Sequence, residues 1–107
     1  MRRPLVSAAL IVRDEERFLE GCLASLAGRV DEVVVADTGS ADASPAIARA
    51  AGARLIDFPW RGDFAAARNA AVDAARGRWI LYIDADERVV GWDREALERA
   101  DTDGSIV

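Results

Sequence analysis

The chain has 107 residues, which is enough for one compact domain with its own core, and it carries a net charge of −5. A surface of that sign repels phosphate backbones and anionic lipid heads, so we expect no nucleic-acid partner. The chain contains no His, and all 14 of its basic residues are Arg. That composition excludes His-dependent triads, Schiff-base lysines and Walker-type lysines, and leaves carboxylates, Arg and hydroxyl groups for chemistry.

Cysteine content and hydropathy indicate a compartment. Cys22 is the only cysteine, which excludes an internal disulfide and a Cys-based zinc site and fits the reducing cytoplasm. The apolar run after Met1 lacks a small-residue cleavage site, so we predict a strand there rather than a signal peptide. No apolar stretch approaches the roughly 18 residues that a membrane span needs, so we expect none.

The first half of the chain predicts two strand–helix units. The continuous apolar run 5–12 is typical of a strand buried on both faces, and Asp14 is placed to cap a helix over 15–27. A second buried strand is predicted over 30–37, followed by a turn at 38–40. Ser44 is a good N-cap before Pro45, and the helix that follows should end near residue 51, before Gly52.

The second half continues the pattern with a short strand over 54–58, a helix capped by Asp63 that runs through residue 76 and stops at Gly77, and a strand over 79–83. The order is therefore βαβαβαβ, which predicts one α/β domain over 1–107 with a doubly wound, mainly parallel sheet. A charged helix over 92–100 and one more strand within 101–107 are also predicted, with weaker patterns.

Polar residues follow each predicted strand, in the stretches 13–15, 37–40, 59–63 and 84–87. Ligands of open α/β sheets bind at the carboxyl ends of the strands, so these four stretches are the candidate site.

The strongest candidate is the acidic stretch Asp84-Ala85-Asp86-Glu87, which directly follows the last strand. Carboxylates spaced two residues apart can hold Mg²⁺ or Mn²⁺ while leaving coordination positions for water and substrate phosphates. The alternative interpretation is an exposed acidic turn that caps the next helix.

Three further features each allow two interpretations. Asp37 and the turn after it can accept hydrogen bonds from a base or ribose, or can merely cap a helix. Arg68 can pair with a phosphate or remain solvated. Trp60 and Phe64 can be core aromatics or can form a wall of a sugar pocket. We expect them in the core.

Taken together and in order, these segments resemble the family 2 glycosyltransferases over about residues 5–90. The segment VSAALIVRDEERFLEGCLASL resembles the family's first strand and turn, VDEVVVADTGSADAS its second strand and acidic turn, and DFAAARNAAVDAARGRWILYIDADE its helix, strand and DXD motif. The DTGS and FAAARN segments are similar to those of one bacterial subgroup. The resemblance implies a GT-A fold, cut short, that binds a nucleotide-diphosphate sugar.

The resemblance also implies roles for particular residues. The nucleotide pocket would be lined by the backbone near Val12 and Arg13, together with Glu15 and Asp37. Arg68 would face the diphosphate. Within the DXD motif, Asp86 would bind the metal, Mn²⁺ or Mg²⁺, and Asp84 would lie nearer the ribose or sugar, with Ala85 between them in the nucleotide-sugar pocket. The reaction implied is inverting transfer from a donor, expected to be a UDP-sugar, to an acceptor hydroxyl.

The chain departs from the family pattern at two positions and in its extent. Thr38 stands where many members have Asp, and Asp14 where Asn is commoner. The family's catalytic base lies beyond the DXD motif, so no residue is assigned that role.

Two other classes remain as alternatives. One is a non-catalytic, doubly wound binding or signalling domain, although such regulators generally use a Lys that this chain lacks. The other is a nucleotidyltransferase, which would need a Gly-rich basic loop where this chain has 13–16. The identity of the sugar, nucleotide and acceptor does not follow from the sequence.

Overall fold

The computed structural model describes residues 4–89. It contains β1 (Val6–Val12), α1 (Glu16–Leu26), β2 (Glu32–Asp37), α2 (Ser44–Ala50), β3 (Arg54–Asp57), α3 (Phe64–Ala74) and β4 (Trp79–Tyr82). The expected alternation of strands and helices is confirmed, with each boundary within two residues of the sequence-based one. The helix expected over 92–100 and the strand expected within 101–107 lie outside the described residues.

The four strands form one parallel sheet in the order β3-β2-β1-β4. The apolar run of β1 is the reason that this strand lies in the middle, since six of its seven residues are buried. Ala8, Leu10 and Val12 pack against α1 and α2 on one face, and Ala9 packs toward α3 on the other. Helices therefore cover both faces, and the doubly wound α/β architecture is confirmed.

The helices present the faces that their sequences predict. Buried residues of α1 recur at helical spacing, and they are Leu19, Cys22, Leu23 and Leu26. In α3 the buried residues are Ala67 and Ala71, both without exposed surface. Small side chains let the backbone of α3 lie close to β1 and β2.

Two of the three expected helix caps are wrong. Asp14 does not cap α1, because it adopts a left-handed conformation with φ +53° and its Oδ1 accepts the N–H of Ala41 at 2.7 Å. Ser44 does not cap α2, because it is the first residue of that helix and its hydroxyl accepts the N–H of Glu15 at 2.9 Å. Both side chains bond across to a neighbouring loop rather than to their own helix. The third cap is confirmed, since Asp63 Oδ1 accepts the N–H of Ala66 at 3.1 Å.

Helix α3 ends before the expected position. Ala75 is already extended, with ψ 140°, so Gly77 does not terminate the helix. The N–H groups of Arg76 and Gly77 instead bond to Glu32 Oε1 and Ser7 Oγ, at 2.8 Å each. These two bonds direct the chain from α3 into β4. Gly52 does follow the end of α2 as expected, with φ +82°.

The longest described helices have 11 residues. Within residues 4–89, no helix combines the length and apolar character that crossing a membrane requires.

Candidate functional site

An open cleft of about 410 Å³ lies at the carboxyl edge of the sheet. One wall comes from the end of β1 and the other from the turn after β4. The chain reaches β2 from β1 through α1 on one face, and β4 from β3 through α3 on the opposite face, so β1 and β4 flank the topological switch point where such sheets bind ligands. The lining residues are Ile11, Arg13, Glu15, Thr38, Trp60, Phe64, Tyr82, Asp84, Ala85 and Asp86.

The β1 wall carries one positive and one negative side chain. Arg13 is exposed and Glu15 is half-buried, and both line the cleft. The N–H of Glu15 is bonded to the Ser44 hydroxyl. Such a pair can meet a phosphate with the guanidinium and a hydroxyl group with the carboxylate.

The β4 wall is a tight turn held from below. The N–H of Glu87 bonds to the Asp84 carbonyl at 2.9 Å, and the Asp84 N–H bonds to Glu87 Oε1 at 2.8 Å. Ala85 is only 4% exposed and packs into the core. Because the turn is closed by Glu87 and anchored by Ala85, the side chains of Asp84 and Asp86 remain exposed beside the cleft.

The donor set of this turn fits a hard divalent cation that is shared with a substrate. Among residues 4–89, no three acidic or sulfur-bearing side chains lie close enough together to enclose a metal ion. A cation held by one or two carboxylates that keeps water and substrate phosphates as its other ligands does not need such a cage. Asp84 and Asp86 suit that arrangement, because both are exposed carboxylates at one strand end.

Cys22 of α1 lies beneath the same turn. Its Sγ is 3.7 Å from the Asp84 carbonyl oxygen, and the residue has no exposed surface. Burial raises the pKa of the Cys22 thiol to about 11, with the acids of the turn adding to the rise and Arg88 opposing it. The thiol is therefore neutral at physiological pH and acts as a packing group.

Asp37 and Val12 lie behind the cleft rather than on its surface. Asp37 is 7% exposed, and its carboxylate accepts the Ser40 hydroxyl at 2.5 Å and the Ser40 N–H at 3.3 Å. The side chain of Val12 is in the core, and its carbonyl accepts the N–H and the hydroxyl of Thr38 at 3.0 and 3.3 Å. Thr38 itself lines the cleft.

The expectation that Trp60 and Phe64 are core aromatics is wrong. They are 43% and 54% exposed and both line the cleft. Trp60 lies in the loop after β3 and Phe64 opens α3, so the start of α3 brings them to the carboxyl edge of the sheet. They add apolar surface to a cleft whose other lining residues include Arg13, Glu15, Asp84 and Asp86.

Arg68 lies near the cleft but is not among its lining residues. Its guanidinium carbon is 5.1 Å from the centre of the Tyr82 ring, in cation–π contact. Within residues 4–89 the buried Tyr82 hydroxyl has no hydrogen-bond partner, and burial together with Asp84 raises the pKa of Tyr82. Tyr82 was missed by sequence reasoning, although strand alternation places it on the same side as Asp84.

Comparison with known proteins settles the family. The model of the family described as glycosyl transferase family 2 matches residues 7–107. The chain belongs to that family. The match includes the four described strands, from Ser7 of β1 onward, and every residue that lines the cleft.

Individual relatives are similar to most of this chain. The chain is 55% identical over 85 residues to a TPR repeat-containing protein of Synechococcus elongatus, covering 79% of this chain and 21% of that protein. It is 43% identical over 95 residues to the succinoglycan biosynthesis protein ExoO of Rhizobium meliloti, covering 85% of this chain and 27% of that one. The chain thus spans between a fifth and a third of the length of these relatives.

Among solved structures, the fold is similar to that of glucosyl-3-phosphoglycerate synthase from Mycobacterium tuberculosis in complex with Mn²⁺, UDP-glucose and phosphoglyceric acid. The TM-score is 0.65 at 27% identity, covering 79% of this chain and 35% of the synthase. The GT-A expectation for the fold is therefore confirmed.

Proposed function

We propose that this chain is the donor-binding part of a metal-dependent glycosyltransferase that transfers a sugar, with inversion, from a UDP-sugar to an acceptor hydroxyl. One observation carries the proposal: the carboxylates of Asp84 and Asp86 border one cleft with Arg13 and Glu15, at the switch point between β1 and β4. Family membership supports the reaction class. The synthase supports the choice of UDP and Mn²⁺, since its structure contains UDP-glucose and that metal.

In this proposal Asp86 binds the cation, and Asp84 lies beside the ribose or sugar. A bound Mn²⁺ or Mg²⁺ would supply positive charge for the departing diphosphate. The chain's own contribution is to hold two exposed carboxylates on a turn that Ala85 anchors in the core, so that little reorganisation is needed on binding.

The remaining roles follow the sequence-based assignments. Glu15 and the backbone near Arg13 bind the nucleoside, while Asp37 and the backbone near Val12 support that pocket from behind the cleft. The exposed guanidinium of Arg68 pairs with the diphosphate. Trp60 and Phe64 form the apolar wall of the donor pocket. The protein acts in the bacterial cytoplasm, where a single cysteine stays reduced.

Calorimetric titration of UDP tests the proposal. UDP is titrated into the unmutated chain in the presence of Mn²⁺ and, separately, in the presence of EDTA. It is also titrated into the Asp86→Asn variant in the presence of Mn²⁺. We expect affinity to fall at least about tenfold, or about 1.4 kcal/mol, both in EDTA and in the variant. Asp73→Asn is the matched control, because Asp73 is an exposed acid near the carboxyl end of α3, whereas it is the first residue of that helix, Phe64, that lines the cleft.

The outcomes separate two parts of the proposal. If UDP bound with equal affinity in Mn²⁺, in EDTA and to the Asp86→Asn variant, the metal would have no role in donor binding. Absence of binding of UDP and of GDP to a chain that circular dichroism shows to be folded would overturn the donor-binding function.

A further inference from the structure

The loop after β1 and the loop after β2 are joined by reciprocal hydrogen bonds. In one direction, backbone N–H groups at the start of α1 donate to side chains of the second loop: Asp14 N to Ser40 Oγ at 2.9 Å, Glu15 N to Ser44 Oγ at 2.9 Å and Glu16 N to Asp42 Oδ2 at 3.0 Å. In the other direction, Ala41 N donates to Asp14 Oδ1 at 2.7 Å and Ala43 N to Glu16 Oε2 at 3.2 Å. Each loop therefore supplies hydrogen-bond acceptors for backbone N–H groups of the other.

This exchange fixes a conformation that the β1 loop would not keep alone. The first N–H groups of a helix have no partner inside the helix and need one from elsewhere. Asp14 also has φ +53°, a left-handed conformation that persists in a non-glycine residue only when its surroundings enforce it. The partners of the Asp14 N–H and carboxylate both come from residues 40–41.

Ser40 joins this exchange to the end of β2. Its hydroxyl accepts the Asp14 N–H and donates to Asp37 Oδ1 at 2.5 Å, while its own N–H donates to Asp37 Oδ2 at 3.3 Å. One hydroxyl thus links Asp37 to the loop that carries Arg13 and Glu15. Ser40 is not among the residues that line the cleft.

We propose that Ser40 is a positioning residue for nucleotide binding: its hydroxyl holds Arg13, Glu15 and Asp37 in their binding arrangement without itself touching the ligand. This inference rests on the proposed function. Loss of the hydroxyl leaves the Asp14 N–H without its acceptor and removes one bond to Asp37. The β1 loop must then be ordered at the moment of binding, and that cost appears as lost affinity.

The experiment compares Ser40→Ala, Ser40→Thr and Ser25→Ala in the full chain with Mn²⁺. Ser25 is a matched control, because its hydroxyl likewise donates to an oxygen, Cys22 O at 2.6 Å, and accepts an N–H, Val89 N at 3.0 Å, but it is not among the residues that line the cleft and accepts no N–H from the β1 loop. We expect Ser40→Ala to weaken UDP binding about tenfold, Ser40→Thr to stay within about twofold of the unmutated chain, and Ser25→Ala to keep its affinity. Melting temperatures of the two alanine variants should fall by similar amounts.

Hydrogen exchange supplies a readout that needs no ligand. Amides 14–16 should exchange about tenfold faster in Ser40→Ala and at an unchanged rate in Ser25→Ala, because Ser40 accepts an N–H from that loop whereas Ser25 accepts the N–H of Val89. Unchanged UDP affinity in Ser40→Ala, or an equal loss in Ser25→Ala, would overturn the positioning role and leave the proposed function standing. Absence of UDP binding by the unmutated chain would overturn both.

Discussion

Gly77 donates its N–H to the Ser7 hydroxyl at 2.8 Å, and the two residues are so close that a methyl group on Gly77 would lie 2.6 Å from Ser7 Oγ and 2.7 Å from Ser7 N. The contact joins the α3–β4 connection to the central strand. The Ser7 hydroxyl in turn donates to Glu32 Oε1 at 2.7 Å, so a buried polar cluster fixes the amino edge of the sheet, opposite the cleft.

We expect Gly77→Ala to lower the free energy of unfolding by about 2–3 kcal/mol, because the added methyl meets the backbone of β1, which cannot move cheaply. Gly21→Ala is the control. There the methyl would meet only the end of the exposed Arg88 side chain. In addition, alanine has a higher helix propensity than glycine. That variant should be neutral or more stable by up to about 1 kcal/mol. Urea denaturation of both checks the contrast, and equal losses would contradict it.

Much of the fold could be predicted because its signals are local. The apolar run that became β1 and the apolar spacing of Leu19, Leu23 and Leu26 in α1 each announce one element, and alternation of strands with helices implies a parallel sheet. The caps failed because Asp14 and Ser44 bond across two loops that are about 30 residues apart in the chain, which no local pattern records.

The site was predicted in part for the same reason. Asp84, Asp86, Arg13 and Glu15 line the cleft because the carboxyl ends of parallel strands meet at one edge of the sheet. The exposure of Trp60 and Phe64 depends on how α3 begins relative to that edge. Because the prediction for these two residues used only the size and apolarity of their side chains, it wrongly placed them in the core.

Asp42 should make stability depend on acid pH. Desolvation opposes ionisation of Asp42, but hydrogen bonds from Ser44 and from the Glu16 N–H outweigh it and lower the pKa of the carboxyl. The unfolded chain, with a carboxyl pKa of about 3.9, then binds the proton first as pH falls. The stabilisation by Asp42 is therefore complete above that pKa and is lost as pH falls through the lower folded value.

We expect Asp42→Asn to flatten the pH dependence of the unfolding free energy below about pH 5, since Asn keeps one acceptor oxygen but cannot titrate. Urea unfolding at a series of pH values from neutral to about 3 measures the slope. A variant with the same slope as the unmutated chain would exclude Asp42 as its source.

Removing the Tyr82 hydroxyl should stabilise the protein. That hydroxyl is buried and finds no hydrogen-bond partner among the residues that the structure describes, while the ring packs under the guanidinium of Arg68. Tyr82→Phe keeps the ring and removes the cost of burying a hydroxyl without a hydrogen bond, so the free energy of unfolding should rise by about 1 kcal/mol. Tyr82→Leu loses the ring and its contact with Arg68, and should be less stable than Tyr82→Phe. A destabilised Phe variant, measured by thermal unfolding, would show that the hydroxyl has a partner.

The Cys22 thiol should report whether α1 stays packed against the turn that carries Asp84. The side chain has no exposed surface, and its pKa is raised from 9.0 to about 11, chiefly because burial disfavours the thiolate. The thiolate is the nucleophile, so the shift alone should slow alkylation about a hundredfold at pH 8, and burial should slow it further. Mass spectrometry can follow iodoacetamide addition in EDTA, with and without enough urea to unfold the chain. Native and unfolded rates within about tenfold of each other would mean that α1 separates readily from the turn, which would then be a poor platform for the two carboxylates.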